Sequence, residues 1–449
     1  MAINALEIIV IEKARALLSN LGFVARHRAH EKAFTRKRSL TFDCVMLLVL
    51  QKTLKAAQLH LQEFFGALAG NSLVRAVTSS AWTQARAKLK HTAFVELNRV
   101  AIVEAVYADD AKEELTLWRA HRLLPVDGSV VRMPESQALF EFFGGQEQFV
   151  NQKGPCGERI PQARLSVLYD CLNRIGLDAR VGKFTDSEKA LAEEHLSAAR
   201  PGDVIILDRG YAGYLLLAEM ASRGLHFIAR CHRQSFAEAG NLFERDEDGA
   251  SVVVTLSARS RRAEAWSAGL PLELKVRFVS LRLPTGELEV LVTTLVDESA
   301  YPTAEFLKVY HLRWGVETLY GLLKGRLDLE NFSGLTVEAV LQDIHSAVFL
   351  TNLESVVTRE AAVRLPQANE NGRRYGQKIN RAVSLHALKS RVVDLLLGKR
   401  PADKVLAELT ELFLANPITV RPNRTPPPRS ETPRSRTINF IKRVRKIVF

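Results

Sequence analysis

Between Tyr310 and Lys324 the chain sets a tyrosine, an arginine, a carboxylate and a lysine (Tyr310, Arg313, Glu317 and Lys324) at separations of three, four and seven residues. Residues three and four apart on a helix are neighbours, so Arg313 and Glu317 project together, and Lys324 follows two turns beyond Glu317 on nearly the same face. One carboxylate amid cations suits a group that binds metal beside a polyanion. Upstream, two aspartates end apolar runs: Asp127 after Leu123 to Val126, and Asp208 after Val204 to Leu207. Phosphodiester hydrolysis and transfer need an activated oxygen nucleophile and charge neutralised on both attacking and leaving oxygens, which two divalent ions about 4 Å apart supply. Magnesium takes hard oxygen ligands and keeps several waters, so a few carboxylates suffice. Asp127, Asp208 and Glu317 are therefore expected to hold two Mg2+ ions, for which Mn2+ can substitute, with Asp127 as the bridge. Each aspartate alone would read as an ordinary strand-end carboxylate; their occurrence together with the Tyr310 to Lys324 block points to a site.

Arg313 and Lys324 are expected to bind phosphate, the arginine by planar two-point contact and the lysine as a point charge. The bland alternative is an intrahelical pair with Glu317, worth only ~0.3 to 0.5 kcal/mol. Tyr310 reads as a phosphate contact or a core residue, and Trp314 as a base-stacking or a buried ring. Arg209 and the Lys153 to Arg159 segment are further phosphate candidates.

These residues resemble the transposases of the IS4 group of bacterial insertion sequences, whose signature is Y-(2)-R-(3)-E-(6)-K. Tyr310, Arg313, Glu317 and Lys324 match it at every spacing. The group's Asp-Gly-Ser/Thr and Asp-Arg-Gly-Phe/Tyr blocks match at Asp127 to Ser129 and Asp208 to Tyr211, and the likeness spans roughly residues 75 to 355. It implies a DDE transposase that binds terminal inverted repeats, cleaves by metal-activated water and joins the 3′-hydroxyl to target DNA, as a homodimer on double-stranded DNA. Some members hold a flipped base on an aromatic of a β insertion, where this chain has Trp266. Others carry a basic residue one turn after the glutamate, where this chain has Gly321.

The 449 residues, 47% hydrophobic and 25% charged, supply ample material for a core and more than one module. A net charge of +12 favours a polyanionic partner. The apolar stretch Val45 to Leu50 is far shorter than the ~20 residues a spanning helix needs, and the N-terminus does not read as a secretory signal. Four scattered cysteines without a C-x-x-C pair signal neither zinc nor disulfides. A bacterial cytoplasmic, nucleoid-associated protein is the expectation.

The elements that must position these groups follow from periodicity. Residues 1–118 read as a helical DNA-binding domain, with helices over Ala5 to Leu21 and Phe42 to Ala69 and a basic helix face from Gln84. Arg26, His27, Arg28, His30, Lys32, Arg36, Lys37 and Arg38 crowd one stretch of it. Strands are expected at Leu123 to Arg132, Ala163 to Asp170, Gly176 to Phe184, Asp203 to Asp208 and His226 to Cys231, with helices at Glu188 to Ala199 and Tyr214 to Gly224. That order is α/β and ribonuclease-H-like, with the first and fourth strands adjacent so that Asp127 meets Asp208. The core is assigned to 119–232 and 301–360, interrupted by a mainly β insertion at 233–300. A helical region over 361–420 and a basic Pro/Arg-rich tail over 421–449 complete the chain. The rival readings are a ribonuclease-H-like structure-specific endonuclease and a domesticated regulator derived from a transposase.

Overall fold

A strand of ten residues, β1 (Leu123–Arg132), lies at the middle of the framework that positions the acidic residues. The computed structural model describes residues 5–36, 38–53, 55–69, 77–148, 158–367, 374–398 and 400–421. Lys37, most of the Lys153 to Arg159 segment, Cys156 and the tail from Pro422 onward lie outside the described residues.

The other strands of the same sheet are β2 (Gly145–Gln148), β3 (Glu158–Asp170), β4 (Ile175–Lys183), β5 (Val204–Leu207), β6 (His226–Arg230), β7 (Ser251–Ser257), β8 (Glu273–Arg282) and β9 (Leu288–Thr293). They form one nine-stranded mixed sheet. β3 runs antiparallel between β1 and β4, with β2 beside its first residues. On its other edge β1 pairs in parallel with β5, Leu123 opposite Val204 and Pro125 opposite Ile206, and β5 pairs in parallel with β6. The first and fourth of the expected strands, β1 and β5, are thus adjacent. From β6 the sheet continues antiparallel through β9, β8 and β7. The β-rich segment after residue 233 therefore extends this sheet and makes no separate one.

Helices α1 (Ala5–Ser19), α2 (Leu21–His27), α3 (Phe42–Leu50), α4 (Ala57–Leu68), α5 (Ser79–Arg86), α6 (Thr92–Leu97) and α7 (Glu104–Val106) precede the sheet. Within it come α8 (Gln137–Phe143), α9 (Glu188–His195), α10 (Tyr214–Ser222), α11 (Ala237–Arg245) and α12 (Arg262–Ser267). After it follow α13 (Thr303–His311), α14 (Trp314–Gly325), α15 (Val337–Val357), α16 (Arg359–Arg364), α17 (Arg381–Leu396) and α18 (Ala402–Ala415). The alternating side chains of a strand address opposite faces. Leu123, Val204, Ile206, Ile228 and Leu291 meet Phe306, Val309 and Tyr310 of α13 on one face. Leu124, Val126, Ile205, Leu207 and Phe227 join the larger core on the other, with Leu216, Leu217 and Met220 of α10. Helix α15 is buried along almost its whole length and touches α3, α6, α14, α17 and β4, tying helices that precede and follow the sheet to the core.

Three local expectations change. Phe42 to Ala69 is two helices, because residues 51–53 and 55–56 leave the helix and Lys52 is turned onto tertiary partners: its carbonyl accepts from Lys389 and its ammonium donates to the carbonyls of Asp328 and Leu329. The expected basic helix after Trp82 stops at Arg86, whose side chain is buried against α15. The Tyr310 to Lys324 block is two helices joined by a tight turn at Leu312 and Arg313, where Arg313 N–H donates to Tyr310 O at 3.0 Å.

Candidate active site

Asp127 occupies the middle of β1, and the β1–β5 pairing carries the chain to Asp208 one residue beyond the end of β5. The two acids are 81 residues apart in sequence and lie on neighbouring parallel strands. Asp208 begins a short 3-10 turn and accepts from the N–H of Arg209 at 2.7 Å and the hydroxyl of Tyr310 at 3.3 Å. Asp127 accepts from the N–H of Gly128 at 2.8 Å. Its main-chain carbonyl accepts from the Tyr320 hydroxyl of α14 at 2.6 Å, which fastens that helix to β1. Gly315 lets the same helix approach closely, since a Cβ there would stand 3.0 Å from Cys171 Cβ. Glu317, in the first turn of α14, is thereby brought to the two aspartates.

Arg313 joins the three carboxylates. Its Nη2 is 3.0 Å from Glu317 Oε1 and 4.0 Å from Asp208 Oδ2, and its Nη1 is 3.8 Å from Asp127 Oδ2. The guanidinium is 5% exposed and lies over the Trp314 ring, 5.0 Å from its centroid. Burial opposes its charge, yet the surrounding Asp208, Tyr310, Glu317 and Asp127 hold its pKa above the ordinary value. Burial pushes the Asp127 carboxyl up to about 6, against the Gly128 N–H and the Arg313 charge that favour ionisation, while Glu317 and Glu188 push further upward.

The donor set suits a hard divalent cation in kind, being three carboxylates of which Asp208 and Glu317 are more than a third exposed. Its spacing is another matter. Among the described residues no three His, Cys, Asp or Glu side chains close to metal-holding distance; here the guanidinium lies between the acids.

The other expected contacts separate. Tyr310 is buried in the core beneath α13 with its hydroxyl directed at Asp208. Lys324 reaches from α14 to β1 and donates to Ser129 Oγ at 2.8 Å and Val130 O at 2.6 Å, so it stands two residues from Asp127. Trp314 is 51% exposed, which removes the buried-core alternative. Arg209 pairs with Glu287 at 3.0 Å at the mouth of a polar cavity that also has Arg233 and Arg282 in its wall. Trp266 is 75% exposed on α12. A Cβ on Gly321 would meet nothing within 4 Å, so packing does not require the glycine there.

A segment covering residues 118–353, just over half of the chain, matches the family model of the transposase DDE domain. The chain belongs to the IS4 family of DDE transposases. Asp127, Asp208 and Glu317 all fall inside the matched segment. The chain is 23% identical over 251 residues to the transposase InsG of insertion sequence element IS4 from Escherichia coli strain K12, an alignment covering 54% of each protein. It thus spans about half the length of that relative. A solved structure of the piggyBac transposase synaptic complex with hairpin DNA aligns over 96% of this chain and 86% of its own, with a TM-score of 0.40 and 11% identity.

Sequence reasoning missed the polar support behind these acids. Ser166 on β3 donates to the Asp127 carbonyl at 3.3 Å and lies 3.0 Å from His195 Nε2, whose Nδ1 is 2.9 Å from Asp178. This has the outline of a Ser-His-Asp relay, but Ser166 is 1% and His195 0% exposed, so it has no access to a substrate and serves the fold. Glu188, paired with Arg164, packs over Gly128 and adds a fourth carboxylate near Asp127. Only the β1–β3 register and the spacing along α9 could have signalled these contacts.

Proposed function

We propose that the chain is a DNA transposase that binds the terminal inverted repeats of an insertion sequence, cleaves DNA and joins the freed 3′-hydroxyl ends to target DNA. The observation that carries the reading is the convergence of Asp127, Asp208 and Glu317, from three distant elements, on one guanidinium. The strand order β4, β3, β1, β5, β6, with its antiparallel and then parallel pairings, supports a ribonuclease-H-like core over 119–232 and 301–360.

In this reading Asp127, Asp208 and Glu317 hold two Mg2+ ions, with Mn2+ as a substitute. When bound, these activate water or a 3′-hydroxyl as nucleophile and neutralise the leaving oxygen. The chain's own residues set the geometry. Asp127 is fixed by the central strand, and Asp208 is oriented by the Arg209 N–H and the Tyr310 hydroxyl. That makes Tyr310 a positioning residue for Asp208. Arg313, Lys324 and Arg209 supply cations for backbone phosphates, and the exposed face of Trp314 offers a stacking surface for an unpaired base. The helical N-terminal part, 1–118, keeps Arg26, His30, Lys32, Arg36 and Arg38 exposed, as a DNA-contacting surface requires. The 233–300 segment, the 361–420 helices and the 421–449 tail add contacts to DNA or to a second copy in a dimeric complex in the bacterial cytoplasm, at the nucleoid.

The test incubates the full chain with Mg2+, a duplex ending in the terminal repeat of its own element and a target plasmid. Cleavage at the repeat and joined products are expected. Cleavage of branched or flapped DNA without preference for the repeat would replace the reading with a structure-specific nuclease.

A further inference from the structure

Three carboxylates gathered in a half-buried cleft repel one another, and a cation is needed to hold them together. Arg313 fills that role in the described chain. One oxygen from each acid, Asp127 Oδ2, Asp208 Oδ2 and Glu317 Oε1, faces the same guanidinium, but only the Glu317 contact is at hydrogen-bond length. The buried Nε of Arg313 has no hydrogen-bond partner among the described residues. Buried donors are normally satisfied, so an arginine this loosely held among strong acceptors is poised for another arrangement. The oxygens it faces are also the hard donors a divalent ion would use. An ion held by those three oxygens at about 2.1 Å would stand in the space between the acids that the guanidinium now fills, so the two cannot be seated there together.

We propose that Arg313 is the resident counter-ion of the metal-free acidic centre, that a divalent cation must expel it to bind, and that a DNA phosphate receives the expelled guanidinium. The proposal rests on reading Asp127, Asp208 and Glu317 as metal ligands. It couples two ligands through one side chain: each phosphate drawn to Arg313 frees the carboxylates for metal, and each bound ion frees Arg313 for phosphate. By linkage, metal and DNA then raise each other's affinity by the same factor. The chain without DNA would bind metal weakly. Trp314 reports the motion, because its ring loses the guanidinium lying over it.

The test measures Mn2+ binding to the full chain without DNA, from the electron paramagnetic resonance of free Mn2+. Arg313→Gln should bind roughly tenfold tighter or better than the unmodified chain, since a unit charge within a few ångströms is removed, and Arg313→Lys should stay near the unmodified value. In parallel, Mg2+ titration should change the tryptophan emission of the unmodified chain and not of Trp314→Phe. Arg313→Gln binding no tighter than the unmodified chain overturns the proposal, as does saturation by Mg2+ with Trp314 emission unchanged. If Arg313→Gln does not fold, the emission measurement on the unmodified chain decides alone. Failure of the metal-ligand reading looks different: Glu317→Gln or Asp127→Asn would then leave Mn2+ binding unaltered, and the counter-ion proposal would fall with it.

Discussion

Two arginines in this protein are equally buried, each 5% exposed, and differ in how they are held. Arg86 saturates its fork: Nε donates to Gln342 at 2.7 Å, Nη1 to Ser333 at 2.6 Å, and Nη2 to Ala339 O and Asp343, both at 2.8 Å. Asp343 in turn takes the Ser333 N–H at 2.7 Å and lies 3.7 Å from Lys52. That network ties α5 to α15 and to the loop that follows α14. Arg313 faces three carboxylates and makes one hydrogen bond to them. In Arg86 each guanidinium nitrogen has a hydrogen-bond partner. Around Arg313 three carboxylates face a single cation, and its Nε has no hydrogen-bond partner among the described residues.

The largest effect should separate the two. Removing one partner of a buried ion pair costs about 3 to 5 kcal/mol, so Arg86→Ala should lower the melting temperature sharply, and Mg2+ should not restore it. Arg313→Ala leaves acids that a cation can reach, so its melting temperature should recover substantially when Mg2+ is added. Thermal unfolding with and without Mg2+ checks both; equal recovery in the two variants would erase the distinction.

A second contrast is between carboxylates. Asp343 is fully buried yet held below the usual carboxylate range: burial pushes it up, and Arg86, Lys52 and the Ser333 N–H overcome that. Glu7 on α1 is also buried, but its Oε2 lacks a hydrogen-bond partner among the described residues and burial pushes its carboxyl up to about 8. From the ordinary value near 4.5 up to about 8, the folded chain keeps a proton that the unfolded chain has lost. Stability therefore falls as pH rises through that window, by about 1.4 kcal/mol per unit of pKa difference. Glu7→Gln should flatten the decline and be more stable than the unmodified chain at pH 8. Denaturant unfolding between pH 5 and 8.5 would show it, and parallel curves for the two chains would remove Glu7 as the cause.

The smallest effect concerns Gly321. Nothing crowds the position, and glycine within a helix costs up to about 1 kcal/mol relative to alanine. Gly321→Ala should raise stability by a few tenths to 1 kcal/mol. A loss in the same unfolding measurement would reveal a packing demand on that face of α14.

What the sequence displays follows from how local each determinant is. The strand carrying Asp127 is legible because apolar residues run up to it, and the one before Asp208 because Val204 to Leu207 form a continuous apolar run between polar residues. Their adjacency follows from the order of elements. The turn at Leu312 and Arg313 is not legible, since neither proline nor glycine stands there and the residues on both sides favour helix. Arg86 reads as an exposed cation because its partners Gln342 and Asp343 lie more than 250 residues away. The attachment of β9 to β6 is hidden for the same reason: a strand's own pattern states that it pairs, and its partner is chosen by tertiary packing. In the candidate site, motif and spacing single out the three acids, and nothing in the sequence places Arg313 between them.

If Asp127, Asp208 and Glu317 hold the metal for DNA cleavage, exchanging one of them for a softer ligand changes which metal supports the reaction. Carboxylates suit magnesium and manganese alike, whereas a thiolate is a softer ligand that manganese tolerates better. Cleavage of a terminal-repeat duplex by Asp208→Cys should be lost in Mg2+, by roughly 10³-fold or more, and partly regained in Mn2+. An Asp208→Cys chain that cleaves normally in Mg2+, or that regains nothing in Mn2+ while folding and binding the duplex as the unmodified chain does, would contradict that role.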